Sequence, residues 1–199
     1  SVSPSTSVEA NETLQMVHTE SDQDDDALTL TYVWTDSIGQ VLGSGQTLTL
    51  DNSRPVGSTV TAMLTVTDAY GASDTISETI TILNTDPVVD TPANISANPS
   101  VTTDATLTCS AIFTDFNDGN LTPSFVWSLS SGSVLANSGN TYTVNDATTN
   151  PGDTIVCTAS ATDNNGANIS STASTVLQNT DPTVDIFTIT PGSSVEANE

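Results

Sequence analysis

The sequence has almost no positive charge. Its 199 residues include one basic residue, Arg54, and one histidine, His18, against 24 acidic residues, so the formal net charge is −23. Such a chain cannot neutralise a phosphate backbone, which excludes nucleic-acid binding, and it cannot hold anionic lipids by a polybasic patch. Because lysine is absent, no lysine-dependent chemistry is available, and a single histidine argues against a zinc site built on imidazoles.

Long apolar runs and helical patterning are also missing. No run reaches the 18 or so apolar residues of a membrane-spanning helix, so we expect no membrane insertion. Residues 1–20 lack the charged and apolar regions of a signal peptide. Apolar residues instead alternate with polar ones, which predicts β-strands. The uncompensated negative charge favours a calcium-rich or saline extracellular setting, where cations relieve its self-repulsion.

The sequence contains an internal repeat of about 95 residues. Residues 84–90 (NTDPVVD) recur as 179–185 (NTDPTVD), and residues 67–72 (TDAYGA) recur as 162–167 (TDNNGA). A repeat of this length is that of a small domain. We therefore predict two homologous domains, at residues 1–86 and 87–181.

The C-terminal segment, residues 182–199, begins a third copy. Residues 194–199 (SVEANE) repeat residues 7–12, which is a closer match than either makes to the second domain. The segment is predicted to be the first strand of a following repeat, or a strand that completes another subunit's sheet. The first alternative predicts an alternating array of two domain types or a single further domain.

Strand patterns occur at equivalent positions of both repeats. Alternating apolar residues predict one buried face on each equivalent strand: Val60, Ala62, Leu64 and Val66 in the first repeat, and Ile155, Cys157, Ala159 and Ala161 in the second. Turn sequences such as Asn164-Asn165-Gly166 separate these runs. The pattern predicts an all-β fold of two tandem β-sandwiches.

The order Cys109, Trp127, Cys157 resembles that of immunoglobulin-like domains, in which a tryptophan packs against a disulfide between the sheets. This resemblance implies a Cys109–Cys157 disulfide, which requires an oxidising compartment; the alternative is two buried thiols. The first domain carries Met16 and Ala62 at the equivalent positions, and this large and small pair is a plausible packing replacement for a disulfide.

The first domain also resembles PKD-type repeats of microbial surface proteins. The resemblance lies in Tyr32-Val33-Trp34 and in residues 60–72 (VTAMLTVTDAYGA). The second domain is similar but has the cysteine pair, and is closer to bacterial Ig-like domains. The resemblance implies an Ig-like sandwich in a large extracellular repeat protein. It implies little about function, because such modules serve adhesins, fibres and enzyme spacers alike.

Acidic loops are predicted to meet at one pole of each sandwich, where calcium could bind. Carboxylate and amide oxygens are the ligands that Ca²⁺ prefers. The candidate ligands at the junction of the two domains are Asp86, Asp90, Asp115, Asn117, Asp118 and Asp163. An equivalent set in the first domain is Asp22, Asp24, Asp26 and Asp68. The alternative is a set of solvated acidic turns. His18 is expected to pack or to be solvent-exposed rather than bind a metal.

These features predict a structural protein rather than an enzyme. The leading hypothesis is a repeat unit of an extracellular or cell-surface fibre, stalk or adhesin, stiffened by calcium at its domain junctions. Its partners would be neighbouring repeats of the same chain, or other copies joined through edge strands. The alternatives are a module that binds a cell-surface glycan or protein, and a spacer of a secreted hydrolase.

Overall fold

The computed structural model describes residues 1–4, 7–9, 11–98, 100–136 and 138–188. The described residues form sixteen β-strands and no helix. Accordingly, no described helix is long and apolar enough to cross a membrane. The predicted all-β fold is confirmed, and the strands build two Ig-like sandwiches in succession along the chain.

The first sandwich consists of a three-stranded and a five-stranded sheet. The smaller sheet has the order β1-β3-β6 and the larger the order β2-β8-β7-β4-β5, with the following bounds: β1 (Val2–Ser3), β2 (Ser7–Glu9), β3 (Thr13–Met16), β4 (Thr29–Asp36), β5 (Val41–Gly43), β6 (Thr47–Thr49), β7 (Thr59–Thr67) and β8 (Ser73–Leu83). The first strand is therefore divided, because β1 pairs with β3 in one sheet while β2 pairs in parallel with β8 in the other.

The second sandwich pairs two four-stranded sheets. One has the order β11-β10-β14 with β9 also paired to β10, and the other has the order β13-β12-β15-β16. The bounds are β9 (Val88–Asn98), β10 (Thr106–Asp115), β11 (Gly119–Leu121), β12 (Ser124–Leu129), β13 (Val134–Ala136), β14 (Thr141–Thr143), β15 (Thr154–Thr162) and β16 (Asn168–Val176). Here the first strand, β9, is continuous and pairs with nearly all of β10.

Each core is built around one tryptophan. Trp34 lies opposite Ala62 and Trp127 lies opposite Cys157, and both indole rings are fully buried. A buried indole N–H needs an acceptor. Trp34 Nε1 donates to Gly45 O at 2.7 Å, and Trp127 Nε1 donates to a carbonyl in the equivalent loop at 3.3 Å. The repeat seen in the sequence is thus a repeat of core architecture.

The predicted disulfide is present and joins the two sheets of the second sandwich. Cys109 on β10 and Cys157 on β15 are bonded, with their Cα atoms 6.5 Å apart. At the equivalent positions of the first sandwich, Met16 and Ala62 are both buried. The thioether side chain of Met16 therefore helps to fill the gap that the disulfide spans in the second domain.

The predicted domains, residues 1–86 and 87–181, stay predictions. All strands of the first sandwich lie within residues 2–83, and those of the second within residues 88–176. In the C-terminal segment, residues 182–188 are exposed and form no strand. Residues 189–199 lie outside the described residues, so the role predicted for this segment also stays a prediction.

Candidate functional site

The junction of the two sandwiches places a short linker against two acidic loops. The linker, residues 84–87, connects β8 to β9. One loop follows β10 and begins with Asp115, the last residue of that strand. The other loop follows β15 and begins with Asp163. Both carboxylates are buried, with 4% and 6% of the residue exposed.

Each buried aspartate uses one oxygen to shape its own loop. Asp115 Oδ1 accepts hydrogen bonds from the backbone N–H groups of Asn117 at 2.7 Å and Asp118 at 2.9 Å. Asp163 Oδ1 accepts from the backbone N–H groups of Asn165 at 2.9 Å and Ala167 at 2.8 Å. Aspartate side chains commonly close turns in this way, and the arrangement leaves both Oδ2 atoms for other partners.

The second oxygens face the linker. Asp163 Oδ2 accepts from Asn84 Nδ2 at 2.7 Å, and Asp115 Oδ2 accepts from Thr85 Oγ1 at 3.4 Å. Asn117 Oδ1 accepts from both the backbone N and the hydroxyl of Thr85, at 2.9 and 2.6 Å. The two domains are therefore connected by side-chain hydrogen bonds as well as by the chain itself.

The two acidic loops are also bonded to each other. Asp118 Oδ2 accepts from the backbone N of Asn164 at 2.9 Å, and Asp118 Oδ1 accepts from Asn164 Nδ2 at 2.6 Å. This bidentate contact fixes the spacing of the loops that carry Asp115 and Asp163. The site that receives the linker is thus held in shape by the second sandwich alone.

No basic side chain compensates the charge of this site. The sequence has one lysine or arginine in total, and this residue, Arg54, lies 3.4 Å from Asp36 in the first sandwich. Hydrogen bonds stabilise the negative charge of Asp163 in place of a basic side chain. The bond from Asn84, followed by those from its own loop, lowers the pKa of the Asp163 carboxyl despite burial. Asp163 therefore retains its negative charge at neutral pH.

Two enclosed polar atoms of the site have no partner among the described residues. They are Asn84 Oδ1 and Asn117 Nδ2. A buried acceptor without a donor costs free energy, and Asn84 Oδ1 lies on the side chain that contacts Asp163. The oxygen atoms that could act as metal ligands at this site belong to carboxylate, amide and hydroxyl groups. Ligands of this type suit a hard cation such as Ca²⁺.

The structure places the predicted junction residues in two groups. Asp115, Asn117, Asp118 and Asp163 lie in the hydrogen-bonded site, whereas Asp86 and Asp90 are exposed and make no described hydrogen bond to it. The metal role of all six stays a prediction. Sequence reasoning missed Asn84 and Thr85 as contact residues. The available signal was their recurrence as Asn179-Thr180 in the repeated motif.

The acidic pole of the first sandwich is more open. Asp22, Asp24 and Asp26 each offer an oxygen within 4.8 Å of the others. Asp22 Oδ1 accepts from the backbone N–H groups of Asp24 and Asp26, so the cluster is a turn as well. Asp68 Oδ1 closes its loop on Tyr70 and Ala72 as Asp163 does in the second sandwich. Exposed acidic groups of this kind are common without an ion, and these four residues stay predicted ligands.

The single histidine, His18, contacts neighbouring side chains of the first sandwich. His18 Nε2 forms a hydrogen bond with Tyr32 Oη at 2.8 Å, and Nδ1 lies 2.7 Å from Glu20 Oε2. Its side chain is 16% exposed. Both ring nitrogens are thereby engaged by neighbouring side chains, in keeping with a packing role.

The fold therefore defines a protein of tandem Ig-like sandwiches with an acidic, hydrogen-bonded junction. No protein-family profile matches the sequence, and no curated protein matches it. Solved structures with a similar arrangement include Drosophila N-cadherin EC1–4, at 16% identity and a TM-score of 0.37, covering 88% of this chain and 48% of the other. Protocadherin gamma B2 extracellular cadherin domains 3–6 match at 14% identity and 0.37, covering 88% and 44%.

The D00–D0 domains of intimin are also similar, at 15% identity and a TM-score of 0.27, covering 88% of this chain and 97% of the other. This chain spans about half the length of the two cadherin structures that it matches. Likeness at this level says nothing about what the chain binds.

Proposed function

We propose that this chain is a structural unit of an extracellular or cell-surface fibre, stalk or adhesin, in which calcium fixes the angle between successive sandwiches. The observation that carries the proposal is the contact of Asn84 and Thr85 in the linker with buried, uncompensated Asp115 and Asp163. An interface made of a few polar contacts rarely holds two domains rigid by itself.

Calcium at this position would supply the positive charge that the chain lacks. The side chains available to hold it are those of Asp115, Asp163 and Asp118, with the Asn84 amide oxygen contributed by the linker. Ligands from both domains would then be held by one ion, so that bending at the linker would require the loss of ligands. The disulfide Cys109–Cys157 supports an oxidising, extracellular location.

The repeated sequence supports a structural role over a catalytic one. The linker motif at residues 84–90 recurs at 179–185, so the chain carries the linker part of this type of junction twice. The candidate site consists of carboxylates that close loops and bond a linker. We therefore propose that the chain is not an enzyme.

The test is a calcium titration of the whole chain, followed by melting temperature and small-angle X-ray scattering. At free calcium 100 times the dissociation constant, binding to the folded state alone adds about 2.7 kcal/mol to stability. We expect the melting temperature of the second sandwich to rise and the scattering profile to become that of a stiffer pair. Asp163→Asn and Asp115→Asn should each abolish most of both effects.

The matched control is Asp146→Asn, which removes the same charge from an exposed position and should respond to calcium as the unmodified chain does. Magnesium is a second control, because it prefers a tight octahedron and retains its waters. The proposal fails if neither observable moves up to about 10 mM calcium, roughly ten times the weakest dissociation constants typical of extracellular calcium modules.

A further inference from the structure

The edge strands of the two sandwiches differ in how they are protected from pairing with other chains. An edge strand leaves a row of backbone N–H and C=O groups unpaired, and proteins protect it by short length, charged residues, proline or bulges. Most edge strands in the described part of the chain are protected by length, because they have only two or three residues: β1, β2, β5, β6, β11, β13 and β14.

Two long edge strands remain, β9 and β16, and only β9 is protected. β9 carries Asp90 and Pro92, and its pairing with β10 is interrupted by two register shifts. β16 has nine residues (NISSTASTV) with no charge and no proline, and it pairs with β15 in one uninterrupted register. No backbone group in the described ranges pairs with the other side of β16. Its edge is therefore long, uncharged and open.

Strand β9 lies beside β16 without extending its sheet. The backbone N of Ala93 donates to the Ser171 hydroxyl at 2.9 Å, and Ala93 and Ile169 pack against the same small core cluster. The backbone of β9 is paired with β10 in the opposite sheet. This contact closes the side of the core, and it leaves the backbone edge of β16 without a ladder partner.

The first sandwich protects the equivalent edge in two ways. Its strand β8 lies beside β7 as β16 lies beside β15. One end of β8 is covered by β2, and the rest carries Asp74 and Glu78. The repeat places Ile169 and Ala173 at these two positions of β16. The same edge is thus charged and partly covered in one sandwich, and uncharged and open in the other.

The sheet face next to the open edge is uncharged as well. Alternate residues of a strand point to the same side of the sheet, so Ser170, Thr172 and Ser174 share the exposed face of β16. The residues on this face of β12, β15 and β16 are all uncharged, although the chain has 24 acidic residues: Ser124, Val126, Ser128, Thr154, Val156, Thr158, Ser160, Thr162, Asn168, Ser170, Thr172, Ser174 and Val176. Two copies of the chain can therefore meet at β16 without opposing the carboxylates of this face.

The sequence of β16 is compatible with pairing to itself. An antiparallel pair centred on Thr172 sets Thr172 opposite its own copy and Ser170 opposite Ser174 of the second copy. Both are hydroxyl pairs, which stabilise neighbouring strands when they lie directly opposite each other. The first sandwich already contains such a pair, since Thr61 Oγ1 lies 3.1 Å from Thr79 Oγ1 across β7 and β8.

We propose that β16 is a homodimer interface, at which two copies of the chain pair antiparallel about a two-fold axis at Thr172. The two four-stranded sheets then form one sheet of eight strands. The contact is isologous, because the same strand lies on both sides of the axis. The inference rests on the proposed function in giving the fibre unit a lateral partner, but the pairing itself needs no metal at the junction.

The net charge of the chain sets the conditions under which the dimer forms. Each copy carries a formal charge of −23, so two copies repel at low ionic strength although the contact itself is uncharged. The screening length falls from about 10 Å at 0.1 M salt to about 3 Å at 1 M. Dimerisation should therefore become stronger as salt is added, which is the opposite of an interface held by ion pairs.

The test is analytical ultracentrifugation of the whole chain and its variants, at the lowest ionic strength at which the unmodified chain dimerises. Thr172 is exposed, so Thr172→Asp and Thr172→Lys should fold, which melting temperatures check. Each sets two like charges opposite each other and should weaken dimerisation about tenfold or more. An equimolar mixture of the two variants should dimerise again. The control Ser77→Asp, at the equivalent exposed position of β8, should dimerise as the unmodified chain does.

Hydrogen exchange locates the contact independently of these variants. Residues 168–176 should gain protection as the protein concentration rises, whereas residues 73–80 of β8 should not. The proposal is overturned if the unmodified chain stays monomeric at about 1 mM in 1 M NaCl, if Thr172→Asp dimerises equally well, or if the protection appears elsewhere. A chain that calcium stiffens but that stays monomeric would leave the proposed function intact and refute this inference alone. A chain that dimerises through β16 without any response to calcium would do the reverse.

Discussion

The exchange between a disulfide and a methionine–alanine pair gives a quantitative test of how the two sandwiches are stabilised. The two domains place Cys109 and Cys157, or Met16 and Ala62, at equivalent buried positions between their sheets. Replacing Cys109→Met and Cys157→Ala in the second sandwich would reproduce the packing of the first without the covalent bond. The comparison therefore separates cross-linking from packing.

The magnitude follows from the loop that the disulfide closes. The cysteines are 48 residues apart, and the chain-entropy relation for a loop of that length gives about 4 kcal/mol of stabilisation at 25 °C. We expect the Met/Ala variant of the second sandwich to lose about 3–4 kcal/mol. A Cys109→Ala, Cys157→Ala variant should lose more, because it also leaves a cavity beside Trp127.

The assay is equilibrium urea unfolding followed by tryptophan fluorescence. Each sandwich has one tryptophan, Trp34 or Trp127, so a Trp34→Phe background makes the signal specific to the second domain. The first sandwich, observed in a Trp127→Phe background, is the internal control, and its midpoint should not move. If the Met/Ala variant unfolds within about 1 kcal/mol of the disulfide-bonded chain, the loop-entropy account of this bond is refuted.

Two further predictions concern the second sandwich. Hydrogen bonds lower the folded-state pKa of Asp163, so its contribution to stability is complete above the unfolded-state pKa, about 3.9, and is lost as the pH falls through the lower folded-state pKa. Acid titration of stability should therefore show a drop, and Asp163→Asn should make that drop shallower. An equal drop in the variant would contradict the assignment. Phe113→Ala should destabilise the second sandwich by about 3–5 kcal/mol in urea because the ring is fully buried. Phe116→Ala, at a 40% exposed position, should lower stability by less than about 1 kcal/mol. Equal losses would show that the core around Phe113 is not close-packed.

Much of the fold was predictable because alternate residues of a β-strand face opposite sides of the sheet, which leaves a period of two in the sequence. The alternation at Ile155, Cys157, Ala159 and Ala161 predicted a buried face, and all four residues are buried in β15. The Ig-like order of cysteines and tryptophan placed Cys109 and Cys157 on opposing sheets, and the disulfide is present. Period-2 patterning needs no knowledge of distant contacts, which is why it succeeded here.

The candidate site was only partly predictable, since its contacts are made by side chains from distant segments. The sequence indicated that the loops of Asp115 and Asp163 would face the linker, because strand order puts them at one pole. It did not indicate that Asn84 and Thr85 would make the contacts while Asp86 faces solvent. Which face of a linker turns inward depends on how β9 joins its sheet.

By itself, the sequence determined the all-β class, the repeat of about 95 residues and the strongly negative charge, because each follows from composition or period along the chain. The disulfide was implied by the resemblance to Ig-like domains. Only the tertiary structure decided that the linker is bonded to buried aspartates. Volume and burial are properties of packed neighbours, and a one-dimensional pattern does not contain them.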